Sequence, residues 1–191
     1  MSKYRLAVFA SGRGSNLEAL IAAFPPDGSD PAAKVALVVS DNHRAPALAI
    51  ATKHGIPTLI EPFNPRQMFE TYVRQMLNEH SIDLVCLAGF MRILSAPFTR
   101  IYGYRILNIH PSLLPKYRGL NPQARALAAG ETETGATVHF VDPGIDTGEI
   151  VMQRAVPILP DDTEETLTAR ILAAEHELYP AAVRQVLAGL A

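Results

Sequence analysis

The sequence of 191 residues has a single cysteine, Cys86, which excludes an intramolecular disulfide and a cysteine-based zinc site. Its neighbours Leu84, Val85 and Leu87 predict a buried thiol. No run approaches the roughly 20 apolar residues that span a bilayer. The opening stretch, residues 1–10, lacks the longer apolar core of a secretory signal and leads directly into a strand-like run. Neither charge sign is in excess: 17 Lys and Arg against 19 Asp and Glu leave −2, which weakens nucleic acid and anionic membranes as partners. The 12 glycines and 15 prolines supply turns without making a low-complexity chain. There is no internal repeat and no long linker; residues 25–33 form a polar loop. These absences predict one soluble domain, residues 1–191, in a reducing cytoplasm.

What is present is an alternation of short apolar runs and helical patterns. Residues 6–10, 35–39 and 84–88 are aliphatic runs bounded by turn residues, as expected of strands buried on both faces, and 105–110 forms a fourth. Leu17, Leu20, Ile21 and Phe24 share one helical face; Met68, Tyr72, Val73, Met76 and Leu77 share another. Strand–helix alternation predicts an α/β fold with right-handed crossovers and a mainly parallel sheet. Residues 137–141 and 150–157 read as later strands. A last helix opens on the acidic residues 161–165 and carries Leu167, Ile171, Ala174 and Leu178 on one face, with Pro180 kinking or splitting it.

The first strand runs into Ser11-Gly12-Arg13-Gly14-Ser15-Asn16-Leu17-Glu18. Ser15 and Glu18 have the spacing of a capping box, which predicts a helix start there. Glycines that permit close backbone approach, followed by a helix N-terminus, suit a phosphate. Leu17 stands where a dinucleotide fingerprint needs its third glycine, and no Gly-Lys-Ser/Thr follows, so a small phosphorylated ligand is favoured over NAD or ATP. A tight turn without a ligand fits the same residues.

In Asn108-Ile109-His110, strand alternation puts the amide and the imidazole on one face near a strand's C-terminal end, where open parallel sheets bind ligands. Such a pair stabilises an oxyanion and relays a proton, although a strand-end histidine is as often structural. Downstream lies a Gly-rich acidic loop containing Asp142, Gly144, Asp146 and Gly148. An aspartate delivered beside His110 favours imidazolium and raises the histidine pKa; ordinary turn chemistry is the alternative. His139 reads as a structural, hydrogen-bonded histidine. Asn, His and Asp without a nucleophile exclude a hydrolase triad, and the histidine spacing argues against a metal.

Taken together, Ser11–Asn16, the run 87–94 (Leu-Ala-Gly-Phe-Met-Arg-Ile-Leu), the run 108–117 (Asn-Ile-His-Pro-Ser-Leu-Leu-Pro-Lys-Tyr), the run 135–141 (Gly-Ala-Thr-Val-His-Phe-Val), Asp146-Thr147-Gly148 and Glu175-His176 resemble the folate-dependent phosphoribosylglycinamide formyltransferases. The resemblance implies a single-domain Rossmann-like α/β fold, with a mainly parallel sheet flanked by helices and an antiparallel C-terminal strand region. It implies an N-terminal half that binds the ribonucleotide phosphate and a C-terminal half that binds folate and catalyses. The reaction implied is formyl transfer from 10-formyltetrahydrofolate, as co-substrate, to the amine of phosphoribosylglycinamide in purine biosynthesis. By position, Asn108, His110 and Asp146 are the catalytic set, with Asp146 holding His110 charged. Gly14, Ser15 and Asn16 match the phosphate loop, and Glu175 matches a ribose-side contact.

The implied cofactor residues are Arg66, Met91, Arg92, Ile93, Leu94 and Asn108, with the loop 142–146 alongside. Met91 to Leu94 would present the backbone of an apolar edge strand to the pterin. Arg92 equally suits an ion pair. Arg66 would follow Asn64 as cap and Pro65 as first helical residue; on its own it reads as a solvated surface arginine, and the resemblance implies a contact to the folate glutamate. Leu114-Pro115 matches a bond this family holds cis. One stretch departs: Asn121 and Gln123 stand where many members carry histidines, and neither titrates; Arg118 adds a cation nearby. The partners implied are small molecules, with the chain a monomer or homodimer. A tRNA-formylating relative would need a further basic domain after residue 191, and a formyl-folate hydrolase an extra N-terminal domain. A sugar-nucleotide formyltransferase would bring other appended segments, and an inactive binding module would have lost one of the three catalytic positions.

Overall fold

A computed structural model describes residues 2–190. Seven strands form one sheet in the order β3-β2-β1-β4-β5-β6-β7. The chain gathers into two compact units, Met1–Leu107 and Asn108–Ala191.

In the first unit, β1 (Tyr4–Phe9) pairs in parallel with β2 (Ala33–Ser40) and β4 (Leu84–Leu87), and β2 pairs in parallel with β3 (Thr58–Ile60). Leu6 through Ala10 and Leu84 through Ala88 are buried, so helices must cover both faces and the strands read as unbroken apolar runs. Helices α1 (Ser15–Ala23), α2 (Pro46–Lys53), α3 (Arg66–Glu79) and α4 (Ala96–Tyr102) complete the unit. The predicted face of α1 is the buried one. That of α3 is corrected: Phe69, Val73 and Leu77 are buried, whereas Met68 and Tyr72 are exposed. Phe69 stacks on Phe90 at 5.7 Å between ring centroids, which rotates Phe69 rather than Met68 inward.

Two helix starts also differ from expectation. Helix α1 begins at Ser15, but its cap is Gly14 in the left-handed region (φ 88°) with no side-chain cap, so no Ser15–Glu18 capping box forms. Pro65, not Asn64, caps α3, and Arg66 is its first residue. Both Asn64–Pro65 and Leu114–Pro115 are cis.

The second unit begins within β5 (Ile106–His110), at Asn108, and β5 leads to α5 (Pro122–Ala128). The antiparallel pair β6 (Glu133–Phe140) and β7 (Ile150–Pro157) follows, and then α6 (Glu164–Gly189). Thr163 and Thr166 cap α6 reciprocally, and Pro180 lies within an uninterrupted helix. Leu167, Ile171, Ala174 and Leu178 form its buried face, as predicted.

Candidate functional site

The polar centre of the second unit is built from the end of β5, the end of β6 and the loop between β6 and β7. Alternation along β5 places Asn108 and His110 together. His110 is buried; its Nδ1 lies 3.3 Å from Asp146 Oδ2, and its Nε2–H donates to the Tyr117 carbonyl at 3.0 Å. The Gly119 N–H donates to Asp146 Oδ2 at 2.9 Å. Asn108 Nδ2 faces His139 Nε2 at 3.2 Å and, more distantly, Asp146 Oδ1 at 3.5 Å.

Asp146 is delivered by a loop that bonds to itself. Asp142 Oδ1 accepts from the Gly144 N–H at 3.0 Å and from Thr147 Oγ1 at 2.6 Å. A Cβ on Gly148 would lie 1.8 Å from the Phe140 carbonyl oxygen, so glycine is required there. Asp146 itself adopts a left-handed conformation (φ 51°), tolerable for aspartate.

Burial dominates the electrostatics. It pushes the His110 pKa below the ordinary imidazole value, and the Tyr117 carbonyl and Asp146 carboxylate oppose this without reversing it. The expected rise is therefore corrected: Asp146 does lie beside His110, but desolvation, which has no signature in the sequence, outweighs it. Burial alone would raise the Asp146 pKa, but the neighbouring His139 and His110 imidazoles and the Gly119 N–H together hold it below the usual range.

His139 is the residue that sequence reasoning placed outside the chemistry. It is buried and hydrogen-bonded, as expected, yet it also lies 3.5 Å from Asp146 Oδ1. The strand register shifts between Val138 and His139, and a bulge of this kind re-aims a side chain. Asn121 heads α5 in a left-handed conformation (φ 53°), and the Arg118 carbonyl accepts Arg125 Nη1–H at 2.6 Å. Glu175 is buried on α6.

In the first unit, Gly14, Ser15 and Asn16 open α1, with Gly14 and Asn16 buried. Met91 and Ile93 are exposed and Leu94 is buried, but these residues with Arg92 form an irregular segment, not the expected edge strand. Arg92 Nε pairs with Asp41 Oδ2 at 2.5 Å, and its guanidinium lies 5.6 Å from the Phe63 ring centroid. Arg66 is exposed. Among the described residues, no group of three or more His, Cys, Asp or Glu is placed to hold a metal ion, and no helix is long and apolar enough to cross a membrane.

A mainly parallel sheet with a glycine-capped first helix defines an α/β fold of the open-sheet class, and at the end of β5 a buried His110 meets the half-buried Asn108 and Asp146. The formyl transferase family model matches residues 4–183. The Drosophila melanogaster trifunctional purine biosynthetic protein adenosine-3 is 50% identical over 190 residues, 98% of this chain and 14% of that protein. Its human counterpart is 45% identical, over 98% of this chain and 19% of that protein, so the chain spans less than a fifth of these curated relatives. The phosphoribosylglycinamide formyltransferase structure from Anaplasma phagocytophilum superposes with a TM-score of 0.92 at 44% identity, covering 98% of this chain and 88% of that one. The Brucella melitensis structure of the same name gives 0.91 at 44%, covering 98% and 97%. This chain belongs to the formyl transferase family.

Proposed function

We propose that the protein transfers the formyl group of 10-formyltetrahydrofolate to the primary amine of phosphoribosylglycinamide, a step of purine biosynthesis. The observation that carries this reading is the convergence of the half-buried Asn108 and Asp146 on the buried His110. The amine nitrogen bonds to the formyl carbon, and the carbonyl electrons move to oxygen. Collapse of that intermediate breaks the bond to the folate N10; the amine loses one proton and N10 gains one.

The folate supplies an activated formyl group; every other contribution is the chain's. Asn108 has two amide hydrogens, and the one on the 3.5 Å contact to Asp146 is the more weakly held and turns to the developing oxyanion. With its pKa lowered by burial, His110 enters neutral, carrying its hydrogen on Nε2 against the Tyr117 carbonyl. The proton released by the amine is held at His110 Nδ1, where Asp146 Oδ2 stabilises the imidazolium before the proton passes on. This differs from a histidine charged beforehand.

Within the first unit, Gly14, Ser15 and Asn16 bind the substrate phosphate through the α1 N-terminus. The exposed apolar side chains of Met91 and Ile93, on a segment outside the sheet, fit a planar pterin, and Arg66 contacts the folate glutamate. Glu175 of the second unit contacts the ribose. Absorbance of a 10-formylfolate, followed with and without phosphoribosylglycinamide and beside His110→Ala, tests the proposal. Ribonucleotide-dependent turnover that collapses in the variant supports it. Turnover without the amine indicates a formyl-folate hydrolase instead.

A further inference from the structure

The first unit contains a buried carboxylate that the chemistry does not use. Asp41 follows the end of β2, and its side chain is 2% exposed. Its Oδ1 accepts the Ser11 hydroxyl at 2.6 Å, and its Oδ2 accepts Arg92 Nε at 2.5 Å. Because the Ser11 hydrogen is committed to Asp41, the Ser11 oxygen is left as an acceptor, and the Met91 N–H donates to it at 3.1 Å. Neighbouring bonds brace the same point: Asn42 Nδ2 donates to the Ser11 carbonyl at 3.2 Å, and the Ser11 N–H donates to the Gly89 carbonyl at 3.2 Å. The segments after β1, β2 and β4, three adjacent parallel strands, are therefore tied at one carboxylate.

We propose that Asp41, acting through Ser11 and Arg92, is a positioning residue that sets the α1 phosphate turn and the Met91–Arg92 backbone as one unit, so that ribonucleotide and formyl-folate binding depend on it together. This rests on the functional reading above. An acidic side chain is needed because only a carboxylate accepts on both oxygens; asparagine satisfies one donor and opposes the other with its own N–H groups.

The test compares wild type, Asp41→Asn, Ser11→Ala and the double variant. Two readouts are used: amide hydrogen exchange of peptides spanning residues 11–17 and 88–94, and steady-state kinetics in both substrates. Each single variant is expected to speed exchange in both peptides and to raise both KM values about tenfold, with kcat within about threefold. The double variant is expected to be no worse than the poorer single one, since both cut the same chain of bonds. Ser11→Ala, which removes only a hydroxyl, carries the test if Asp41→Asn does not fold. Exchange confined to one peptide, one KM moving alone, losses that add, or a fall in kcat with both KM values unchanged overturns the proposal. If wild type shows no ribonucleotide-dependent transfer, the functional reading fails, and the exchange data still judge the coupling.

Discussion

Asn108 Nδ2 lies 3.2 Å from His139 Nε2, and the geometry of His139 decides which partner donates. His139 Nδ1 faces the Phe140 carbonyl at 2.8 Å, and a carbonyl only accepts, so the hydrogen is on Nδ1. Nε2 is then an acceptor, and Asn108 donates to it. The histidine thereby aims the amide whose second hydrogen faces Asp146. His139→Phe, which keeps the bulk and removes the acceptor, is expected to lower kcat roughly 10- to 100-fold with smaller KM changes. His139→Gln retains an acceptor and should recover part of the loss. Equal KM and kcat damage in both variants would indicate a packing role alone.

The depressed His110 pKa has a definite sign in stability. The unfolded chain binds that proton more readily than the folded one, so stability falls as pH drops through the ordinary imidazole value of about 6.5. His110→Gln should flatten the melting temperature in that range. A wild-type profile flat from about pH 7.5 to about pH 5 would contradict the assignment.

Asp162 gives a test of the same sign at lower pH. Arg170, the Leu159 N–H and Thr166 hold its carboxyl well below the usual carboxylate range, the arginine bond contributing most. The stability it supplies is present above about pH 4 and is lost as pH falls below that. Asp162→Asn should therefore lower the melting temperature at neutral pH and shrink the difference from wild type on acidification.

Much of this architecture was legible because apolar runs and helical faces are local signals. Residues 6–10, 35–39 and 84–88 became buried parallel strands, and 150–157 became β7. The three-residue β3 left no run to detect, since its side chains are exposed or half-buried. The α3 face differs from expectation because Met68 and Phe69 are both apolar, and the distant Phe63 and Phe90 rings select between them. The α1 cap was misread because Ser15 and Glu18 fit a capping box until Gly14 takes the left-handed conformation. Strand alternation already paired Asn108 with His110, and motif resemblance added Asp146. His139 followed from neither, since one shifted register brings it in. Burial, which sets the His110 pKa, depends on the whole surrounding unit and has no local signature.

Gly14 offers a steric prediction. A Cβ there would lie 2.9 Å from Ala47 Cα and Ala47 Cβ of α2 and from Ile50 Cδ1, at a φ that L-residues rarely adopt. Gly14→Ala is expected to cost about 1–3 kcal/mol in chemical denaturation and to raise the ribonucleotide KM more than it lowers kcat.

Phe69→Ala removes a fully buried ring that meets Phe63 at 5.2 Å and Phe90 at 5.7 Å. The expected loss is about 3–5 kcal/mol, measured by urea unfolding with an unchanged slope.

The two outer strands of the sheet bear on behaviour at high concentration. An open sheet presents a template on which another chain can add a strand. On one side the template is only the three residues of β3. On the other, β7 ends in Pro157, carries Arg154 paired with Glu177 of α6, and has its Val151 carbonyl approached by Gln185 Nε2 at 3.5 Å. A guanidinium in mid-strand and a proline at its end oppose strand addition, so self-association through the sheet margins is disfavoured and resistance to fibrillar aggregation is built into both borders.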